Sequence, residues 1–85
     1  MNIKDLKEKL EELGIKASYY SLYGDLKSDS IILYHNYSKW KVFYLDDRGG
    51  RHPMGIFDNE EDACRFIYTE FADTKNWANE KGINL

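Results

Sequence analysis

The stretch that most constrains this chain is residues 40–51, Trp-Lys-Val-Phe-Tyr-Leu-Asp-Asp-Arg-Gly-Gly-Arg. It reads as a strand running into a tight, charged turn. Side chains alternate along a strand, so Trp40, Val42 and Tyr44 share one face and Lys41, Phe43 and Leu45 the other. Five of these six are aromatic or aliphatic. A strand apolar on both sides belongs inside a sheet, with both faces largely covered. Trp40 heads this strand and is expected in the core, as are Val42 and Tyr44 if their face meets the helices. The strand stops at Asp46, Asp47, Arg48, Gly49 and Gly50. A short loop ending in glycines fits a type I turn followed by a left-handed residue, so Gly49 or Gly50 is expected at positive φ.

The segments around this strand follow from periodicity and turn chemistry. Residues 2–13 read as an amphipathic helix, with Ile3, Leu6, Leu10 and Leu13 on one stripe. Asn2 is its candidate N-cap and Gly14 its C′ residue. Residues 17–23 alternate as a first strand, and residues 25–30 form a polar connection. Residues 31–34 make a second strand, joined by the short loop 35–39 to the Trp40 strand. Residues 54–57 make a fourth, shorter strand. Pro53 has no N–H for a ladder and places that strand at an edge or an irregularity. Asp58, with Glu61 three residues on, has capping-box spacing and opens a second helix. Ala63, Phe66, Ile67 and Phe71 form its buried stripe, with Cys64 beside them. This helix is expected to reach about Ala72. Residues 73–81 add a short helical piece carrying Trp77, ended by Gly82.

The expected order is α-β-β-β-(β)-α in a single domain, residues 1–85. Short loops make the sheet an antiparallel meander of three or four strands. Two amphipathic helices need one face to cover, which gives a two-layer α+β fold. One helix on each side of the sheet is the alternative, because the strands are apolar on both faces. A chain this short buries roughly 60–65% of its unfolded surface, so its aromatic residues matter to a marginal core.

Charge narrows the partners. The net charge is -3, with +1 over residues 1–45 and -4 over residues 46–85. An acidic surface repels phosphate backbones and argues against general nucleic-acid binding. It suits a basic protein partner. Cys64 is the only cysteine, so no internal disulfide forms. The N-terminus is charged from the start and no stretch approaches the length of a membrane span. No membrane association and a cytoplasmic location are expected.

No constellation of residues argues for catalysis. His35, His52 and Cys64 are the only soft metal ligands, and none sits at a ligand spacing. Cys64 lies near a helix N-terminus, but Glu60, Glu61 and Asp62 beside it oppose a reactive thiolate. Asp46 and Asp47 are adjacent carboxylates such as a hydrolase or magnesium site uses. In a hairpin turn they instead accept backbone N–H groups, with Arg48 and Arg51 close enough to pair with them. Gly49-Gly50 lacks the lysine of a phosphate loop. Aromatic strands without the aromatic-Gly-aromatic signature fit core packing better than an RNA platform. No enzyme activity, cofactor or metal is expected.

Three pieces of the chain together resemble a known family. They are Tyr20-Ser21-Leu22-Tyr23-Gly24; Trp40-Lys41-Val42-Phe43-Tyr44 leading to Asp47-Arg48-Gly49; and Phe57 followed by Glu60-Glu61-Asp62-Ala63-Cys64. In order and spacing they are similar to small immunity proteins of bacterial polymorphic-toxin systems, over about residues 6–71. Where that family carries Glu before Arg-Gly, this chain has Asp47. The resemblance implies a protein that binds and neutralises a toxin domain encoded beside it. The alternative is a phage or bacterial interaction module without a toxin partner, a homodimer among the options. Oligomeric state stays open. For contact with a basic toxin surface, the loop carboxylates Asp25, Asp29, Asp46 and Asp47 are the candidates, with Arg48 and Arg51 beside them. Trp40, Tyr44, Gly49, Phe57 and Cys64 are expected to serve the fold.

Overall fold

The computed structural model describes the backbone of residues 1–81 and the side chains of residues 1–75. The expected location of Gly82 and the side chain of Trp77 lie outside the described residues. The elements are α1 (Ile3–Glu12), a 3-10 turn (Ala17–Tyr19), β1 (Tyr20–Ser21), β2 (Ser30–Asn36), β3 (Lys39–Leu45), β4 (Arg51–Phe57) and α2 (Glu60–Lys81). The strands form one sheet in the order β1-β2-β3-β4. The protein is an α+β fold, with β3 in the sheet interior.

Helix α1 starts as its sequence dictates. The Asn2 side chain accepts the Asp5 N–H at 2.8 Å, and the Asp5 carboxylate reaches back to the Asn2 N–H. Gly14, at φ +78, turns the chain out of the helix, where only glycine is unstrained. The apolar stripe then drives the packing, with Leu6 and Leu10 wholly buried. Ile3 and Leu13 flank them at the margin of the core.

Helix α2 differs from expectation at both ends. Its cap is Asn59, whose side-chain oxygen accepts the Asp62 N–H at 2.8 Å. Asp58 is instead paired with the Lys39 ammonium. Asn59 immediately precedes the first helical residue, Glu60, and so takes the cap position, while Asp58 is held across the sheet end by Lys39. The helix also runs unbroken through Lys81 instead of stopping near Ala72. Residues 73–81 contain no glycine or proline to break it.

The two helices lie side by side on one face of the sheet and point the same way. The Glu60 carboxylate accepts the Ile3 N–H at 2.9 Å, Lys9 sits over the Tyr68 ring, and Lys75 approaches Gly14. Beneath them Leu33 and Val42 from the strands meet Leu6, Leu10, Ala63, Cys64, Ile67 and Phe71 in one core. This decides for the two-layer arrangement over a helix on each side. Of the three residues on the helix-facing side of β3, Val42 is fully buried, while Trp40 and Tyr44 are half-buried at its ends.

The sheet is not a pure meander. Residues 17–19 coil into a 3-10 turn, and only Tyr20 and Ser21 are extended. β1 pairs parallel to β2, with Tyr20 opposite Ile31 and Ser21 opposite Ile32. The Lys27 ammonium donates to the carbonyls of Ala17 and Tyr20, and the Ser30 hydroxyl donates to the Lys27 carbonyl. These bonds draw the connecting loop back along β1, so β2 begins beside it in the same direction. Residues 22–29 make this return as a loop, without a crossover helix. β2 and β3 form the expected antiparallel hairpin. Its loop tightens to Tyr37-Ser38, with Tyr37 at φ 55.

β4 runs for seven residues, longer than expected, and is the edge strand that Pro53 implies. Its register against β3 shifts between Val42, opposite Gly55, and Phe43, opposite Pro53. Met54 is the extra residue, and it packs toward the helix-side core. The bulge absorbs the missing proline N–H and keeps Pro53 on the opposite face.

Candidate functional site

Among the described residues, no second layer lies over the face of the sheet turned away from the helices. Pairing puts Ile32 opposite Phe43, Tyr34 opposite Lys41, Lys41 opposite Ile56 and Leu45 opposite Arg51. All of these side chains project to that face. Ile32, Phe43 and Leu45 form a small cluster of their own, separate from the helix-side core. On this side of β3 Phe43 and Leu45 are buried and Lys41 is exposed, so the face is largely covered as expected, although no packed element among the described residues lies over it. Its cover comes from side chains. The Arg51 guanidinium carbon lies 5.1 Å from the centre of the Phe43 ring, a cation–π contact that leaves Phe43 7% exposed.

Around this cluster the apolar surface is open. Leu26, Tyr34 and Ile56 are 58%, 43% and 66% exposed. With Phe43, Pro53 and Gly55 they line a groove of about 630 Å³. Lys41 and Arg51 stand in its lining and no carboxylate does. Among the described residues, neither cation forms an ion pair. Gly24 forms part of the wall. At φ +85 it carries the loop against the Tyr34 ring, and a Cβ there would come within 3.3 Å of that ring.

The acidic residues gather elsewhere, at the β3–β4 turn and the adjoining end of the sheet. One oxygen of the Asp46 carboxylate accepts the N–H groups of Arg48 at 2.9 Å and Gly50 at 2.7 Å. The other meets His52 Nε2 at 2.9 Å. The His52 contact and the two N–H groups hold this carboxyl below its ordinary pKa. Gly49 donates to the Asp46 carbonyl and takes the left-handed conformation at φ +82, as the turn reading requires. Nearby, the Tyr44 hydroxyl donates to Asp29 at 3.2 Å. Burial first, then that bond and the charges of Asp29, Asp46 and Asp47, raise the Tyr44 pKa. Tyr19, Asp29, Tyr44, Glu70 and Phe71 border a smaller hollow of about 340 Å³ on the helix side.

The expected contact residues thus divide between two surfaces. Asp29, Asp46 and Asp47 surround Tyr44, and two of them are already engaged by the protein's own donors. Asp25 is exposed in the β1–β2 loop, between the groove residues Gly24 and Leu26. Arg48 is exposed at the turn. Arg51 and Arg48 do not pair with the turn carboxylates as expected. His52 holds that place, because it shares the Tyr44 side of β4 while Arg51 projects to the opposite face. Lys41, Tyr34, Leu26 and Ile56 were absent from the expected set. For Tyr34 and Lys41 the signal was the second face of the β2 and β3 sequences; Leu26, in the β1–β2 loop, and Ile56, in β4, carried none.

The fold-serving residues sit in or beside the core. Trp40 stacks on His35, with ring centres 3.9 Å apart and planes within 4°. Phe57 meets Phe66 at 5.2 Å. Cys64 is fully buried, and burial, with Glu60 adding, pushes its thiol up to about 11. His35, His52 and Cys64 are thereby placed in three separate surroundings. Among the described residues no His, Cys, Asp and Glu side chains gather as a metal site, and no helix is long and apolar enough to cross a membrane. The chain matches no family model, no curated protein and no solved structure.

Proposed function

We propose that the protein works by binding and blocking: an immunity protein that docks on a toxin domain encoded beside it and neutralises it. One observation carries the binding role. Among the described residues one face of the sheet has no second layer, and that face presents Leu26, Tyr34 and Ile56 to solvent around a groove. Apolar surface gathered in one patch and rimmed by charge is typical of interaction sites. The partner class comes from the three sequence pieces that resemble immunity proteins. One of their matched residues lies on this surface: Gly24 sits against the Tyr34 ring.

The test is co-expression with the toxin domain of the neighbouring gene. Cells carrying both should grow, and the two proteins should co-purify. Cell death despite abundant, folded protein would reject the immunity role.

A further inference from the structure

We propose that the uncovered sheet face binds an acidic, apolar protein segment, one that seats an apolar side chain in the groove while its carboxylates meet Lys41 and Arg51. This rests on the blocking role proposed above and names the chemistry of the partner. The charge of the groove opposes that of the chain. A protein of net charge -3 places two cations and no carboxylate in this lining. Neither cation has an acidic partner among the described residues. An incoming carboxylate would fill that vacancy without breaking an existing ion pair.

Geometry adds to charge. Lys41 and Phe43 are two residues apart on one strand, about 7 Å, and the Arg51 guanidinium lies over Phe43. One cation therefore stands beside the apolar floor and the other lies over it. Ile56, opposite Lys41, and Tyr34, on its other side, supply exposed apolar walls. Guanidinium and carboxylate pair with two parallel hydrogen bonds, and Arg51 could make them while still resting on the ring. A nucleic-acid strand fits this surface less well: the chain carries a net charge of -3, and two cations in the lining are few for tracking a phosphate backbone. The acidic end around Tyr44 is a weaker candidate for the docking surface, since Asp46 and Asp29 already accept bonds from the protein.

Three probes test this on the whole isotope-labelled protein by amide chemical shifts. They are an extended peptide alternating Glu with Phe and Leu, the same peptide with Lys for every Glu, and an oligothymidine strand. The acidic peptide should bind and shift the amides of Tyr34, Lys41, Phe43 and Ile56. Its affinity should fall about tenfold or more in K41E/R51E, and fall with added salt. Ile56→Lys should also weaken it, although that change adds a cation, because the apolar wall is lost. Asp47→Lys should leave the affinity within about twofold. All of these positions are exposed, and matching thermal melts confirm that the variants fold. Tighter binding of the lysine peptide or of oligothymidine would overturn the proposal. So would no saturable binding of the acidic peptide, or shifts centred on Tyr44 and Asp46. In the growth assay the two ideas separate. Wild-type protection that K41E/R51E retains sinks the groove alone, and failure of wild type sinks the immunity role.

Discussion

The two sides of strand β3 share a backbone but not a fate. Val42, pointing one way, ends in a core built with Leu6, Leu10, Cys64 and Ile67. Phe43, the next residue, points the other way into a cluster with Ile32 and Leu45, its ring under the Arg51 guanidinium. Both residues are apolar and both are largely buried. On the helix side, burial comes from elements that hold their own hydrogen bonds and cannot leave without unfolding. On the open side it comes from side chains, with the Arg51 guanidinium over the Phe43 ring. Apolar residues alone therefore do not tell a core from an interface. The kind of cover does.

The comparison can be tested from its strong side to its weak one. Leu10→Ala removes a wholly buried side chain under both helices. It should cost about 3 kcal/mol in urea or thermal melts. A loss below about 1 kcal/mol would mean that the helix layer is loosely packed and the contrast between faces is false. Gly49→Ala acts on the turn that joins β3 to β4. No atom lies within 4 Å of the added methyl, so the penalty is purely conformational at φ +82, about 1 kcal/mol. Gly50→Ala would instead collide with the Asp46 carboxylate, 2.5 Å away.

The same turn predicts a pH dependence. The Asp46 pKa is lowered in the folded protein, first by His52 and then by the Gly50 and Arg48 N–H groups. Its unfolded value is near 3.8. The folded state then binds fewer protons than the unfolded state between those two values. Asp46 therefore stabilises fully above pH 3.8, and its contribution disappears as pH falls through the lower folded pKa. Wild type should exceed Asp46→Asn in melting temperature at neutral pH. The gap should narrow in acid, read by melts from neutral pH downward. A gap independent of pH would remove the charge from the explanation.

The smallest effect belongs to the open face. Ile56→Ser, at a site 66% exposed, should change stability by less than about 0.5 kcal/mol. A large loss there would show that the face is core after all.

Much of this fold is legible in local sequence. The Asn2 cap, the Leu6–Leu10 stripe, the Gly49 turn and the hairpin of β2 and β3 depend on residues near one another in the chain. Their hydrogen bonds close over a few positions, so composition and spacing determine them. The burial of Cys64 follows in the same way from its place on the α2 stripe. Local reading failed where distant groups competed. Residues 17–23 alternate like a strand, yet Lys27 ties the carbonyls of Ala17 and Tyr20 and draws the loop back, which leaves a two-residue parallel strand. Asp58 has capping spacing, but Lys39 of another strand claims it and Asn59 caps the helix.

The candidate surface shows the same division. Sequence alone placed apolar residues on both faces of β3 and acids at its turn. It could not say which face the helices take. That choice depends on both helices packing together: with Glu60 holding the first N–H of α1 and Lys9 over Tyr68, they occupy one side as a pair. On the other side, among the described residues, Tyr34, Lys41 and Ile56 are left to solvent. Tertiary structure also parted two neighbouring residues, sending Arg51 over Phe43 and His52 to Asp46. Strand alternation separates such neighbours by geometry, but only the pairing with β3 decides what each one meets.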